Sequence, residues 1–254
     1  MSRLFVFGLG YTAQAIVAAL DGWTVEATGA DGTVAFDDDD AVRAALARAS
    51  HVLSSVPPGE AGDPVLERYG DALGHRWLGY LSSTGVYGNT GGAWVDESAP
   101  TGRGRRTART AADQAWLERG ARVLRLPGIY GPERSPLDRV REGRAHRIDL
   151  PGQVFSRVHV ADIAQACVLA LGAAPGAYNL ADDLPASNNA VIEHACRLLG
   201  IDPPPLVSLD DAGLSPQARA FYAENRRVAN LKAKRMLGWR PRYPTYRDGL
   251  ASLR

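Results

Sequence analysis

An α/β fold, with a doubly wound parallel sheet and a smaller C-terminal lobe, is predicted by three features of the sequence. Short apolar runs alternate with helical segments through the first half of the chain. A glycine turn joins the first run to the first helix, and beyond Gly128 the apolar runs shorten while proline and glycine become frequent. Alternation of this kind places helices on both faces of a mostly parallel sheet.

The elements follow in order. Residues 4–7 are apolar and stop at Gly8, and residues 13–20 are rich in Ala, Ile, Val and Leu without a breaker, giving strand, turn and helix. Residues 24–28 and 34–36 read as strands. Asp38, Asp39 and Asp40 open a helix through Arg48, since acidic side chains favour the positive end of the helix dipole. Residues 51–56 form a strand stopped by Pro57 and Pro58. Asp63 before Pro64 has the form of an N-cap with proline at the first helical position, so a helix should run to about Leu73. Strands at 77–82 and 122–126 bracket a helix at 110–118. In the second half a strand is expected at 154–160, where Phe155, Arg157 and His159 share one face, with helices at 161–171, 188–199 and about 230–237. Asp162 is expected to cap the first of these helices, and Trp239 and Tyr243 to pack. The division that follows is residues 1–128 as one domain and 129–254 as the smaller lobe, with 161–182 returning to the first.

Composition narrows the ligand class. Lys and Arg total 29 against 28 Asp and Glu, a formal net charge of +1, so no global field draws the chain to nucleic acid or to an acidic membrane. Arg103, Arg105, Arg106 and Arg109 form the strongest local charge signal. They lack interleaved aromatics, so an anionic small molecule or a solvated loop is the reading adopted over a nucleic-acid patch. Cys167 and Cys196 sit in apolar helical stretches and read as buried hydrophobes in a reducing, cytoplasmic setting, and no metal site is expected. No apolar run is long enough to span a bilayer or set apart enough to act as a signal peptide.

The turn is GLGYTA, residues 8–13, directly after the first strand and opening the first helix. Gly8 permits a tight turn, Gly10 lets a pyrophosphate approach the backbone, and Ala13 allows close packing of helix on sheet. The free amides at the helix start, with Tyr11 and Thr12, would hold phosphates. A ligand-free glycine turn is the alternative. Beyond the second strand, Thr28 leads to Asp31, which either bonds the adenosine ribose or occupies a turn before Gly32. No Lys or Arg follows closely, which favours NAD over NADP. Asp37 either reaches an adenine amino group or caps the following helix.

With that turn, the segments SSVPP (54–58), LSSTGVYG (81–88), RLPGIYGP (125–132), VHVADIA (158–164) and YNLAD (178–182) resemble, in order and over nearly the whole chain, the extended short-chain dehydrogenase/reductases of the NAD-dependent epimerase/dehydratase kind. The resemblance implies a Rossmann domain binding NAD or NADP, with Ser55, Val56, Pro57, Ser82, Pro127 and Ile129 along the cofactor. It implies that Ser83, with Thr84 beside it, holds a substrate hydroxyl or carbonyl, and that a homodimer can form through helices flanking the serine strand. The expected chemistry is epimerase, dehydratase or reductase-like hydride transfer on a polar, sugar-like or anionic molecule.

The sequence departs from the family at the acid/base pair. The YxxxK positions fall on Arg105 and Arg109, and no tyrosine lies between Tyr87 and Tyr130. Arginine stays protonated and donates hydrogen bonds but cannot act as a general base. Arg109 can still bind the nicotinamide ribose. Either another residue supplies the proton, with Tyr87, Tyr130 and His159 as candidates, or the arginines bind an anionic substrate, or redox chemistry is absent. In the last case the protein is a non-catalytic NAD(P) sensor or partner-binding module. Arg157 is a candidate contact for a substrate phosphate or carboxylate, with a surface salt bridge as the alternative.

Overall fold

The computed structural model describes residues 2–75, 77–104 and 107–254. The chain begins with β1 (Arg3–Phe7), α1 (Tyr11–Ala18), β2 (Thr24–Ala27), α2 (Asp39–Arg48), β3 (His51–Ser54), α3 (Pro64–Tyr69) and β4 (Trp77–Ser83). A short β5 (Trp94–Val95), α4 (Thr107–Glu118), β6 (Arg122–Leu126) and β7 (Gly128–Tyr130) follow, then α5 (Pro136–Arg141), β8 (Arg147–Ile148), β9 (Arg157–His159), α6 (Val160–Ala170) and β10 (Gly176–Asn179). The chain closes with α7 (Asn188–Leu199), β11 (Leu206–Val207), α8 (Pro216–Phe221), β12 (Arg227–Val228), α9 (Leu231–Met236) and α10 (Tyr246–Ala251).

Six strands form one parallel, Rossmann-type sheet in the order β10-β6-β4-β3-β1-β2. Because the central strands are covered on both faces they read as continuous apolar runs, and Phe5, Val6 and Phe7 are all fully buried. On one face α1 and α6 bring Ala13, Ile16, Ile163 and Cys167 against Leu4 and Val6, with Trp239 beneath them. On the other, α2, α3 and α4 bring Val42, Leu46, Val65, Tyr69 and Trp116 against Phe5 and Phe7. Register fixes where the sheet ends. Phe7 pairs with Ser54, Ser54 with Tyr80, and Ser83 with Leu126, so Gly8, Ser55, Thr84 and Pro127 emerge along one edge.

Asp63 caps α3 as its sequence predicts, accepting from the Val65 and Leu66 amides at 3.0 and 3.1 Å. Other expectations need correction. Residues 34–36 are not a strand: a single parallel bridge joins Val34 to Thr28, and Phe36 instead offers its carbonyl to the Tyr69 hydroxyl at 2.5 Å. The helix after Asp63 ends at Tyr69 and tightens into a 3-10 turn over Gly70–Ala72. The alternating run 154–160 is a strand only at Arg157–His159, paired in parallel with β7.

That shortening has a local cause. His159 accepts the Ala161 amide on Nδ1 at 3.1 Å and is itself the N-cap of α6, so the helix begins at Val160. Asp162 therefore does not cap it. Its carboxylate instead accepts the Arg242 and Tyr243 amides at 2.5 and 3.2 Å, and its carbonyl accepts Trp239 Nε1 at 3.1 Å, pinning the C-terminal segment to the sheet layer. A separate core of Tyr130, Leu137, Val140, Val191, Ile192 and Leu250 joins α5, α7 and α10. Among the described residues no helix is long and apolar enough to cross a membrane.

Candidate functional site

The glycine turn is braced from three sides. Gly8 has φ +82°, which a side chain rarely adopts, and its amide donates to Thr28 Oγ1 at 3.1 Å. Leu9 N donates to the Thr28 carbonyl at 2.7 Å, and the Ser55 hydroxyl donates to the Gly8 carbonyl. Gly10 is the N-cap of α1 and offers no side chain to its amides. A Cβ at Gly10 would meet nothing within 4 Å. Uncapped amides at the positive end of a helix, facing open space, make an anion cradle.

That cradle opens into a cleft of about 990 Å³. Gly10, Tyr11 and Thr12 line it from the start of α1 and Ser55 from the end of β3, Ser82, Ser83, Thr84 and Arg109 from the end of β4 and from α4, and Pro127, Ile129 and Arg157 from the segments beyond. Tyr11 donates to the Pro132 carbonyl at 3.0 Å, with the Arg134 guanidinium 5.6 Å from its ring, tying the turn to the opposite wall. Ser83 Oγ accepts the Gly85 amide at 3.1 Å, which orients the hydroxyl at the sheet edge. Arg109 donates to the Tyr80 hydroxyl at 2.9 Å and reaches the Leu81 carbonyl at 3.5 Å. Arg105 lies outside the described residues.

Beneath Ser83 runs a buried polar network. Ser82 donates to Asp113 at 2.6 Å, and Arg125 grips the same carboxylate with two bonds of 2.7 and 3.1 Å. Arg125 also donates to the Tyr87 hydroxyl at 2.9 Å, and Tyr87 donates to Asn179 Oδ1 at 2.8 Å.

Of the three proposed substitutes for the missing phenol, Tyr130 borders the cleft and Tyr87 and His159 do not. Tyr87 is 1% exposed, committed to Asn179 and Arg125, and its pKa is raised by burial, so it does not reach the cleft. Tyr130 borders the cleft, but its hydroxyl is buried without a hydrogen-bond partner and its ring lies against Gly249 in the third core. Burial pushes its pKa up. His159 is a helix cap wedged between Tyr130 and Tyr243, held down to about 4 by burial and by Arg242. It does not line the cleft.

Gly8, Ala13, Thr28, Asp31, Asp37, Val56 and Pro57 also lie outside that lining. Asp31 accepts Gln14 Nε2 at 2.8 Å beside the turn. Of the two roles considered for Asp37, helix capping belongs to its neighbour: Asp38 accepts the Ala41 amide at 3.1 Å, while the Asp37 carbonyl takes Arg68 at 2.8 Å.

Sequence reasoning missed a group that arrives from the C-terminal half. Arg226 donates to the Gly88 carbonyl at 2.9 Å and to Glu224 at 2.8 Å, placing its guanidinium beside the serine strand. Phe221 and Tyr222 line the same cleft, as does Arg139. No local motif signals these residues, because the serine strand they approach lies far away in sequence.

No protein-family model matches the chain. It is 32% identical to a 3-diazoavenalumate denitrifying reductase from a Streptomyces species, over 50% of this chain and 45% of that protein. It is 27% identical to protein YeeZ of Escherichia coli over 84% of this chain and 89% of that one. Among solved structures, a functionally unknown conserved protein from Silicibacter pomeroyi is 41% identical, with a TM-score of 0.87 and coverage of 100% of this chain and 98% of that one. A dTDP-glucose 4,6-dehydratase from Bacillus anthracis in complex with NAD (TM-score 0.78, 18% identity, 100% and 95% covered) shares the fold. So does a human epimerase family protein with NADPH (0.78, 17%, 99% and 98%).

Proposed function

We propose that this chain, which belongs to one family with the Silicibacter pomeroyi protein and has the fold of the extended short-chain dehydrogenase/reductases, binds NAD or NADP and oxidises or reduces a polar, anionic small molecule. The observation that carries this reading is the uncapped start of α1 at Gly10, open to the cleft that Ser83 lines from across the sheet edge.

A dinucleotide fits these residues, because the amides following Gly10 supply donors where a pyrophosphate would lie and no side chain fills the space. When bound there it would accept or donate a hydride at a substrate carbon. Ser83 holds the substrate oxygen by its hydroxyl, and Thr84 borders it. Arg109, fixed on Tyr80 and the Leu81 carbonyl, supplies positive charge and hydrogen-bond donors but takes up no proton. The proton is thus exchanged by a group other than the usual phenol. Arginines outnumber carboxylates along the same cleft, with Arg109, Arg134, Arg139, Arg144, Arg157 and Arg226 set against Glu133, Asp138, Glu142 and Glu224, and this excess supports an anionic substrate. Residues 1–128, with 161–182, would hold the dinucleotide and the rest the substrate. Asp31, with no cation beside it in sequence, favours NAD. The NADPH bound by the human neighbour keeps NADP in the test.

Calorimetric titration with NAD, NADH, NADP and NADPH, repeated on Gly10→Trp, tests the reading. Binding lost in the variant is the expected result, and failure of all four nucleotides to bind the native chain would overturn it. A second reading, a non-catalytic NAD(P) sensor, is favoured by the same departure, an arginine at each position of the acid/base pair. It predicts nucleotide binding with no turnover across a carbonyl and carbinol panel.

A further inference from the structure

The family's phenol is replaced, yet a second donor stands beside the Ser83 hydroxyl. Ser83 Oγ accepts the Gly85 amide at 3.1 Å, which leaves its own O–H to donate into the cleft. Arg226 makes both of its bonds, to the Gly88 carbonyl at 2.9 Å and to Glu224 at 2.8 Å, from Nη1. Among the described residues Nη2 bonds no acceptor. It faces Gly85, where the point a Cβ would occupy is 3.3 Å from Ser83 Oγ and 4.0 Å from Nη2. Two donors from distant parts of the chain thus converge on one point of the cleft that both line.

The second donor is held before any ligand arrives. The Asn225 carbonyl accepts the Thr90 and Gly92 amides at 3.0 and 2.9 Å, and the Asn225 amide donates to Asn89 Oδ1 at 3.0 Å. The Arg227 amide donates to the Ala93 carbonyl at 3.0 Å, so the backbone on each side of Arg226 is fixed to the segment that follows the serine strand. Donors fixed in this way need no reorganisation when charge develops in front of them.

Glu133, Asp138, Glu142 and Glu224 line the cleft among its arginines, so local pairing sets what a ligand meets at each point. At Arg226 the Glu224 carboxylate, on a side chain 9% exposed, offsets part of the guanidinium's charge. A cation matched in this way draws a bound anion only weakly. Its remaining N–H groups still donate to an oxygen that becomes negative during the reaction, and interactions that strengthen in the transition state are the ones that raise kcat. Arg109 is placed differently, bonded to Tyr80 and, two residues back from Ser83, to the Leu81 carbonyl.

We propose that Ser83 and Arg226 together hold the reacting oxygen of a substrate carbonyl, with Arg226 as the catalytic residue that stabilises the developing alkoxide by donating from Nη2. This rests on reading the cleft as an oxidoreductase site, and it supplies what the missing phenol leaves open there. In the reducing direction the hydride carries its electron pair from the reduced nicotinamide to the carbonyl carbon and forms the new C–H bond, while the carbonyl π pair moves to oxygen. The nicotinamide is left oxidised. The alkoxide, bonded to Ser83 and Arg226, takes a proton from water and releases hydroxide, so neither residue changes its protonation state.

The test adds 4-(dimethylamino)cinnamaldehyde to the full chain, because its absorbance moves to longer wavelength as its carbonyl oxygen accepts stronger hydrogen bonds. The shift is read without turnover. The native chain should bind the aldehyde with such a shift. Arg226→Lys keeps the charge but has no second nitrogen beside Gly85, and Gly85→Ala keeps both donors but sets a methyl against them. Each should weaken binding about tenfold and reduce the shift. Gly85 does not have the left-handed backbone that disfavours a side chain, so Gly85→Ala should melt as the native chain does and carries the test if Arg226→Lys fails to fold. An unshifted spectrum with the native chain, or affinity and shift both unchanged in either folded variant, overturns the proposal. An NADH titration of separate samples distinguishes the two readings. Nucleotide binding with no spectral shift removes the Ser83–Arg226 assignment alone, and a shift without any nucleotide binding removes the dinucleotide reading alone.

Discussion

The Ser83 hydroxyl and the Arg226 guanidinium flank Gly85, 3.3 and 4.0 Å from the point a Cβ would occupy there. Ser83 comes from the central sheet and Arg226 from the far end of the chain, so the arrangement joins the sheet edge to the C-terminal half. Arg226 makes both bonds, to the Gly88 carbonyl and to Glu224, from Nη1, and it is Nη2 that stands beside Gly85. A lysine keeps the charge but has no second nitrogen to place there. Arg226→Lys should therefore lower kcat/KM about tenfold on any substrate the panel turns over, with the nucleotide Kd unchanged. Ser83→Ala should reduce turnover more strongly. It should also cost about 1 kcal/mol of stability, because Ser83 caps the 3-10 turn through the Gly85 amide. Equal turnover of Ser83→Ala and native protein would remove Ser83 from the site.

The two glycines of the turn should respond differently to the same substitution. At Gly8, φ is +82° and a Cβ would stand 3.0 Å from Val56 Cγ2 and 3.1 Å from Ser55 Oγ. Gly8→Ala should lose about 1–3 kcal/mol in urea melts. Gly10 has φ −93° and open space before it, so Gly10→Ala should melt as the native protein does while weakening nucleotide binding. Equal stability losses at the two positions would contradict this division between a structural and a binding glycine.

Tyr87 and Asp113 belong to the buried network rather than to proton transfer. Removing the Asp113 carboxylate strands the Arg125 guanidinium, whose side chain is 4% exposed, so Asp113→Ala should cost about 3–5 kcal/mol. Tyr87→Phe loses its bonds to Asn179 and Arg125 and should cost about 1–3 kcal/mol while keeping turnover. Abolished turnover with unchanged melting would instead return Tyr87 to the acid/base role.

These contrasts show which parts of the molecule were legible. Features written within a few residues read correctly: Asp63 before Pro64 made its cap, and the glycine turn opened α1. The alternation at 154–160 misled because β-periodicity does not reveal that His159 spends its ring on the Ala161 amide. Tyr87 sits in a recognisable motif, yet its direction is set by Arg125 and Asn179, 38 and 92 residues away. Arg226 reaches Gly88 across 138 residues, a pairing that only the folded chain creates.

Stability against pH should reveal two buried groups acting in opposite directions. His159 is pushed down from 6.5 to about 4, chiefly by burial. The unfolded chain therefore takes up that proton first, and the stability His159 contributes is present above pH 6.5 and lost as pH falls toward 4. Asp182 is 2% exposed, with Oδ1 accepting the Leu184 amide at 3.2 Å. Burial pushes its pKa up from 3.8 to about 7. Here the folded chain keeps the proton longer, so the contribution is present below pH 3.8 and lost as pH rises through 7. The two slopes offset one another across the same interval. Asp182→Asn removes the second and leaves the first. Relative to the native chain, the variant should gain on the order of 3 kcal/mol between pH 4 and pH 7.5. Urea melts at pH 4.5, 6 and 7.5 measure it. Parallel profiles for the two proteins would mean that the Asp182 carboxyl ionises in the fold as readily as in water.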